Sequence, residues 1–142
     1  MSKHFAKAHW NGNLTKGNGK YTLKTSGYEG SLNFSSRFED DKSASSPEEL
    51  IGAALSSCYS MALAHALDQA GNTSEKIETE AEVSLTKTAE GFTITEILLK
   101  TKGKVNGLSN EKFQEIAEKT KEGCPVSRAL KATNIKLEAV LL

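Results

Sequence analysis

One segment constrains the fold of this chain more than any other. Ser46-Pro47-Glu48-Glu49 has the form of a helix start: Ser46 as the cap, Pro47 at the first helical position, and Glu49 three residues after the cap. The residues that follow, Leu50 to Leu67, are apolar or small on nearly every side of a helix. A helix without a polar face predicts burial rather than a surface stripe. Gly71 predicts its stop. A chain of 142 residues fits one domain, residues 1–142, with a sizeable core. A single set of strands in such a chain is short of wrapping this helix completely. A homodimer with two such helices at its centre is therefore expected.

Strands surround the helix in the sequence. His4–Trp10, Lys20–Thr25 and Ser31–Arg37 read as short strands, separated by the turn signals Asn11-Gly12-Asn13 and Gly17-Asn18-Gly19. Asp40 to Ser46 is a polar loop. Ile77, Thr79, Ala81, Val83 and Leu85 alternate with polar residues, as a half-buried strand requires. Gly91 turns the chain. Phe92 and Ile94 share one parity and Ile97 and Leu99 the other, which predicts a bulge or a strand covered on both sides. A second helix, capped by Ser109 or Asn110, carries Phe113, Ile116, Ala117 and Thr120 on one face and ends at Gly123. Cys124-Pro125 opens a short helix through Lys131, and Ile135, Leu137, Ala139 and Leu141 alternate in a last strand. The fold class expected is α+β with mainly antiparallel sheets.

Charge excludes some functions. Lys plus Arg is 18 and Asp plus Glu is 18, so nothing predicts nucleic-acid binding or a charged membrane-binding tail. The apolar runs are shorter than the roughly 20 residues of a membrane span, and the first residues lack the apolar run of a secretory signal. A cytoplasmic location is expected. Three histidines, His4, His9 and His65, show no metal-ligand spacing beside only two cysteines.

Those cysteines, Cys58 and Cys124, are the residues most able to carry chemistry. A structural disulfide is not expected in a reducing cytoplasm, and composition alone favours two buried inert thiols. Cys58 lies mid-helix among small residues, where an isolated Cys reads as a small hydrophobe. Cys124 precedes Pro125 and so caps the short helix. A thiolate there gains from the helix dipole and from free backbone N–H groups. On physical grounds alone Cys124 is the better candidate for the acidic thiol.

Arg37 and Glu48 are candidate polar partners. Arg37 follows a strand and reads either as a surface residue paired with Glu39 or Asp40, or as a fixed cation. Glu49 already serves the helix cap, which leaves Glu48 free to bind Arg37. Glu48 lies about 15 Å from Cys58 along a straight helix. A joint site therefore needs a second chain, an intermediary such as Arg37, or a bent helix. His65 is about 10 Å from Cys58 along the same helix, beyond hydrogen-bond reach, and reads as a core or interface histidine. Lys16-Gly17-Asn18-Gly19-Lys20 lacks phosphate-loop spacing and reads as a hairpin turn.

Together these strings resemble a known family. Ser46-Pro47-Glu48-Glu49-Leu50-Ile51-Gly52-Ala53-Ala54 with Cys58-Tyr59-Ser60-Met61-Ala62-Leu63 resembles the first cysteine motif of the OsmC (osmotically inducible protein C) branch of the OsmC and organic hydroperoxide resistance superfamily. Gly123-Cys124-Pro125-Val126-Ser127 resembles its second cysteine motif. Asn33-Phe34-Ser35-Ser36-Arg37-Phe38-Glu39 resembles that branch's arginine segment, and Ala8-His9-Trp10-Asn11-Gly12 also matches. The resemblance covers essentially the whole chain. Position 46 is Ser where the family often has Asn; both cap helices.

The resemblance implies an intertwined homodimer whose sheets wrap two central helices. It implies a thiol-dependent peroxidase with sites at the interface: Cys58 attacks the peroxide, Cys124 resolves, and Arg37 and Glu48 assist. This overrides the physical preference for Cys124 as attacker. No cofactor or metal is implied; an external dithiol such as dihydrolipoamide recycles the enzyme. The substrates implied are alkyl or lipid hydroperoxides, with Leu55, Tyr59 and Met61 as candidate apolar walls. Two other readings stay open: a peroxide-sensing or thiol-carrying binding protein with little turnover, and a stress-related binding protein with inert cysteines. Which chain supplies Arg37 and Glu48 to each Cys58 also stays open.

Overall fold

The computed structural model describes residues 1–142. It is α+β, with two three-stranded sheets and four helices, and divides into two compact units, Met1–Leu50 and Ile51–Leu142.

The first unit is an antiparallel meander, β1 (Ala6–Asn11), β2 (Asn18–Leu23) and β3 (Tyr28–Asn33), followed by α1 (Phe34–Phe38) and a polar loop. The glycine-rich stretch from Lys16 to Lys20 is the β1–β2 turn running into β2, as read from the sequence. Gly27, at φ +84, makes the β2–β3 turn in a conformation costly for other residues. The strand expected over Ser31–Arg37 stops at Asn33. The Asn33 side chain caps a helical turn by accepting the Ser36 N–H at 2.7 Å, and the Phe34 and Phe38 rings meet one turn apart at 4.9 Å. Arg37 therefore sits on a short helix, not at a strand end.

The loop after α1 is tied back to it by side chains. Ser35 Oγ donates to Asp41 at 2.8 Å, Ser36 Oγ accepts the Ala44 N–H at 3.0 Å, and the Asn33 amide donates to Ser43 at 3.0 Å. Ser45 extends beside Leu32 in a parallel bridge. These local bonds fix the path from Arg37 to the start of α2 (Pro47–Gln69). There Ser46 Oγ accepts the Glu49 N–H at 3.1 Å, which is the expected cap.

The second unit holds the core. Leu55, Tyr59, Leu63 and Leu67, spaced four residues apart along α2, are fully buried. They belong to one cluster with Ile97 and Leu99 of β5 (Gly91–Val105) and Phe113 and Ala117 of α3 (Asn110–Gly123). Each such aliphatic side chain contributes about 1.5–3 kcal/mol on burial. Ser60 of α2 donates to Thr79 at 2.8 Å, and Thr79 shares a 2.9 Å hydrogen bond with buried Thr101, so the helix is registered on the sheet by polar as well as apolar contacts. Tyr59 Oη donates to the Ala117 carbonyl at 3.0 Å.

The expected burial of α2 on all sides is not met within one chain. Ala53, Ala54, Ser57, Met61 and His65 face outward, with Met61 75% exposed. α2 is long and apolar enough to span a bilayer, where the sequence reading saw no such stretch. Gly52 and the serines interrupt its apolar runs without making it polar. Its leucine face nevertheless packs on protein.

β4 (Ser74–Thr88) and β5 form a long antiparallel hairpin. The register shifts between Ser84 and Leu85: Ser84 pairs with Glu96 and Leu85 with Ile94, leaving Thr95 extra. This is the expected bulge, and it turns Ile97 and Leu99 into the core. On α3, Ser109 is the cap, and the buried residues are Phe113, Ile116, Ala117 and Thr120, the face read from the sequence. After α4 (Pro125–Ala129), β6 (Asn134–Leu141) pairs with β5 in parallel. The sheets are otherwise antiparallel.

Candidate active site

The path of the chain around Gly123 places the second sulfur. Cys124 ends α3, its N–H bonding to the Thr120 carbonyl at 2.9 Å, and begins α4, its carbonyl accepting the Arg128 N–H at 3.0 Å. Pro125 breaks α3 because it cannot continue the ladder and suits the first turn of α4. Cys124 is thereby held at 1% exposure, at the start of α4. Cys58, half-buried on α2, meets it: the two Sγ atoms are 3.0 Å apart, with Cys124 Sγ as the donor, and both cysteines are free thiols. A covalent S–S bond is ~2.05 Å, so closing this gap needs about 1 Å of movement.

The two thiols differ in acidity. Burial pushes the Cys124 thiol up, but the donors available to its ionised form, Cys58 first, then the Ser127 N–H and hydroxyl and the Val126 N–H, bring it below its ordinary value. Cys58 is pushed up, first by burial and then by its bond to Cys124, with the Val126 N–H opposing. When both are thiols, Cys124 donates to Cys58; once Cys124 ionises, Cys58 becomes the donor. Within this chain Cys124 is the more acidic group, as its helix-cap position suggested.

In the first unit Arg37 and Glu48 form a bidentate pair. Arg37 Nη2 donates to Glu48 Oε1 at 2.7 Å, and Nε lies 3.1 and 3.2 Å from the two carboxylate oxygens. The Glu48 side chain is 8% exposed and that of Arg37 37%, so the carboxylate anchors the guanidinium and the guanidinium stays accessible. This is the pairing expected once Glu49 was assigned to the cap, in place of the surface pairing with Glu39 or Asp40. Arg37 also lies over the Phe38 ring at 5.2 Å.

The remaining sequence candidates fall differently. Leu55 and Tyr59 are fully buried and cannot wall a substrate site; only Met61 of the three is exposed. Reading α2 as apolar all round gave no cue to which side met the core. His65 is not in the core: it is exposed and lines a cavity of about 520 Å³ with Ala62, Ile116, Lys119 and Cys124. No group of three or more His, Cys, Asp or Glu side chains is arranged to hold a metal ion. Sequence reasoning overlooked Ser127, which is buried one turn after Cys124. Its position three residues past a helix cap was the available signal.

Comparison with known proteins decides the family. The family model described as OsmC-like protein matches residues 39–139. The chain is 47% identical to Peroxiredoxin OsmC of Escherichia coli (strain K12), over 89% of this chain and 88% of that protein.

The chain belongs to the OsmC-like family.

Solved OsmC-type folds resemble it over nearly their whole length. The organic hydroperoxide resistance protein OhrB of Bacillus subtilis superposes with a TM-score of 0.73 at 25% identity, covering 97% of this chain and 98% of that one. An organic hydroperoxide resistance protein OsmC from Legionella pneumophila gives a TM-score of 0.73 at 26% identity, covering 99% and 97%. The α+β architecture of this chain is thus that of the OsmC and organic hydroperoxide resistance proteins.

Proposed function

We propose that this chain is a thiol peroxidase that reduces organic hydroperoxides through Cys58 and Cys124. Membership of the OsmC-like family and 47% identity to a peroxiredoxin support a peroxide-directed redox enzyme. The observation that carries the cycle is the 3.0 Å approach of two free sulfurs from distant parts of the chain. Two inert thiols have no need to meet.

In the cycle, the Cys58 thiolate attacks the terminal peroxide oxygen. An S–O bond forms, the O–O bond breaks, and the alkoxide leaves as alcohol after taking a proton; Cys58 becomes a sulfenic acid. Cys124 then attacks that sulfur. An S–S bond forms, the S–O bond breaks, and the oxygen leaves as water. An external dithiol returns two electrons by exchange and restores both thiols. Dihydrolipoamide has the required chemistry. No resident metal or other cofactor takes part.

Attack by Cys58 requires a charge to offset its raised pKa. A guanidinium aligned by a buried carboxylate suits that need, and we assign it to Arg37 held by Glu48. One pKa unit corresponds to about 1.4 kcal/mol, within the reach of one close cation. The outward face of α2, with Met61 at its centre, and the exposed Phe5, Leu14 and Tyr28 of the first unit support a homodimer in which these surfaces are covered. A site completed by a second chain also suits a Glu48 ten residues before Cys58 on one helix. Apolar surface near the sulfurs favours alkyl or lipid hydroperoxides over hydrogen peroxide. A cytoplasmic setting supplies the reducing conditions for recycling.

Steady-state reduction of cumene hydroperoxide with dihydrolipoamide tests the proposal. Repeated turnover is expected. A single oxidation without recycling by any dithiol would point to a sensor instead, and no reaction with peroxide to inert cysteines.

A further inference from the structure

Ser127 Oγ is the only buried side-chain nitrogen or oxygen without a hydrogen-bond partner in the structure. The residue is 5% exposed. Leaving a buried hydroxyl unpaired costs about 1–3 kcal/mol, so its surroundings ask what would pair it. Ser127 is the third residue of α4 counted from its cap, Cys124. At that position a side chain commonly reaches back to the cap residue and takes its backbone N–H. Here that N–H is already bonded to the Thr120 carbonyl, so the hydroxyl has no backbone group to serve. What remains at the cap is the Cys124 sulfur, itself 1% exposed.

We propose that Ser127 is a catalytic hydrogen-bond donor to the Cys124 thiolate, and that it assists the step in which Cys124 attacks the oxidised Cys58. The proposal rests on the two-cysteine cycle above. In that step an S–S bond forms, the sulfenic S–O bond breaks, and the oxygen departs as hydroxide, which takes a proton from solvent to become water. The Ser127 hydroxyl is not consumed; it holds the attacking sulfur in its anionic form and aims it. While Cys124 is a thiol bonded to Cys58, the hydroxyl is idle. When Cys124 ionises, the hydroxyl gains its partner, and the hydrogen bond acts to lower the thiol's pKa.

Other groups also bear on Cys124. Cys58 and Tyr59 face it from α2, and His65 and Lys119 share its cavity. Lys121, Glu122, Arg128 and Lys131 line a second cavity on the Ser127 side. A test must therefore vary the hydroxyl and leave these charges unchanged.

The experiment titrates Cys124 by its thiolate ultraviolet absorbance in a Cys58→Ala background, with Ser, Ala or Thr at position 127. Ser127→Ala is expected to move the titration to higher pH and to cut the thiolate fraction at neutral pH several-fold, at roughly tenfold per pKa unit. Ser127→Thr, which keeps a hydroxyl, is expected to restore it. Coincident titrations would overturn the role. A purely structural serine would also leave the titration unmoved, since removing an unpaired hydroxyl alters only stability. In the two-cysteine protein, Ser127→Ala should prolong the Cys58 sulfenic acid several-fold; an unaltered lifetime would overturn the role. The titration needs no peroxide. Failure of the wild-type chain to consume peroxide would refute the underlying cycle, and failure of the titration would refute Ser127.

Discussion

Cys58 Sγ and Cys124 Sγ stand 3.0 Å apart, one on the core helix and the other at the cap of a short helix 66 residues later. Neither residue's local sequence compels this meeting. It follows from the packing of α2 and α3 into one core, with Tyr59, next to Cys58, donating to Ala117 of α3. The two thiols share the Val126 N–H and differ in acidity, Cys124 lying below its ordinary pKa and Cys58 above.

The proposed roles, attack by Cys58 and resolution by Cys124, run against that difference in acidity, and mutation can separate them. Cys58→Ser is expected to abolish peroxide consumption. Cys124→Ser is expected to react once, after which Cys58 proceeds to sulfinic and sulfonic acids because nothing resolves it. Mass spectrometry of the oxidised chains reads both outcomes. Near-normal turnover by Cys58→Ser would exchange the roles in favour of Cys124.

The Arg37–Glu48 pair is expected to act on the first oxidation. Arg37→Ala should slow it by roughly tenfold for each pKa unit the Cys58 thiol rises, measured as the second-order rate with peroxide in stopped flow. An unchanged rate contradicts the role. Glu48→Gln keeps the shape but weakens the charged hydrogen bonds, so a smaller loss is expected. Removing Arg37 also leaves a buried carboxylate unpaired, a cost of order 1–3 kcal/mol that thermal unfolding should register.

Tyr59 predicts an alkaline limit to stability. Burial, then the charges of Glu118 and Cys124, push its phenol well above the ordinary value. The folded state thus holds the proton more tightly than the unfolded state. The associated stability is complete below the unfolded tyrosine value of about 10 and declines as pH rises past it. Denaturant unfolding as a function of pH should show this decline in the wild type and a flatter profile in Tyr59→Phe. At neutral pH, Tyr59→Phe should cost about 0.5–1.5 kcal/mol for the lost bond to Ala117.

Gly103 predicts a packing limit. A Cβ there would lie 2.6 Å from the ring of Phe113, which is fully buried and has no room to withdraw. Gly103→Ala should destabilise the fold by about 1–3 kcal/mol. Equal midpoints of urea unfolding for the two proteins would contradict it.

Much of the fold was legible where short-range chemistry dictates it. The Ser46 cap, the buried face of α3 and the bulge before Ile97 all follow from residue type and period. The α1 turn was not legible, because Leu32 and Phe34 alternate as in a strand. What ends that strand is an Asn33 side chain capping Ser36 and a loop of hydroxyls tied to Asp41, which hydropathy does not record. The parallel pairing of β6 was equally hidden: alternation gives a strand its faces but not its direction. The crossover through α3 and α4 brings the chain back parallel to β5. At the site, the Arg37–Glu48 pairing could be reasoned from capping. The joining of the two cysteines came only through resemblance to the family, and Ser127 escaped notice because its significance depends on a hydroxyl left over after all others are paired.

The central claim is that peroxide converts the neighbouring thiols into one intramolecular bridge. Intact mass spectrometry after a single equivalent of cumene hydroperoxide measures this directly. The account predicts a loss of two hydrogens per chain, no covalent dimer, and a peptide linking Cys58 to Cys124. An unchanged mass, or oxygen added to the chain with both cysteines unlinked, would contradict it.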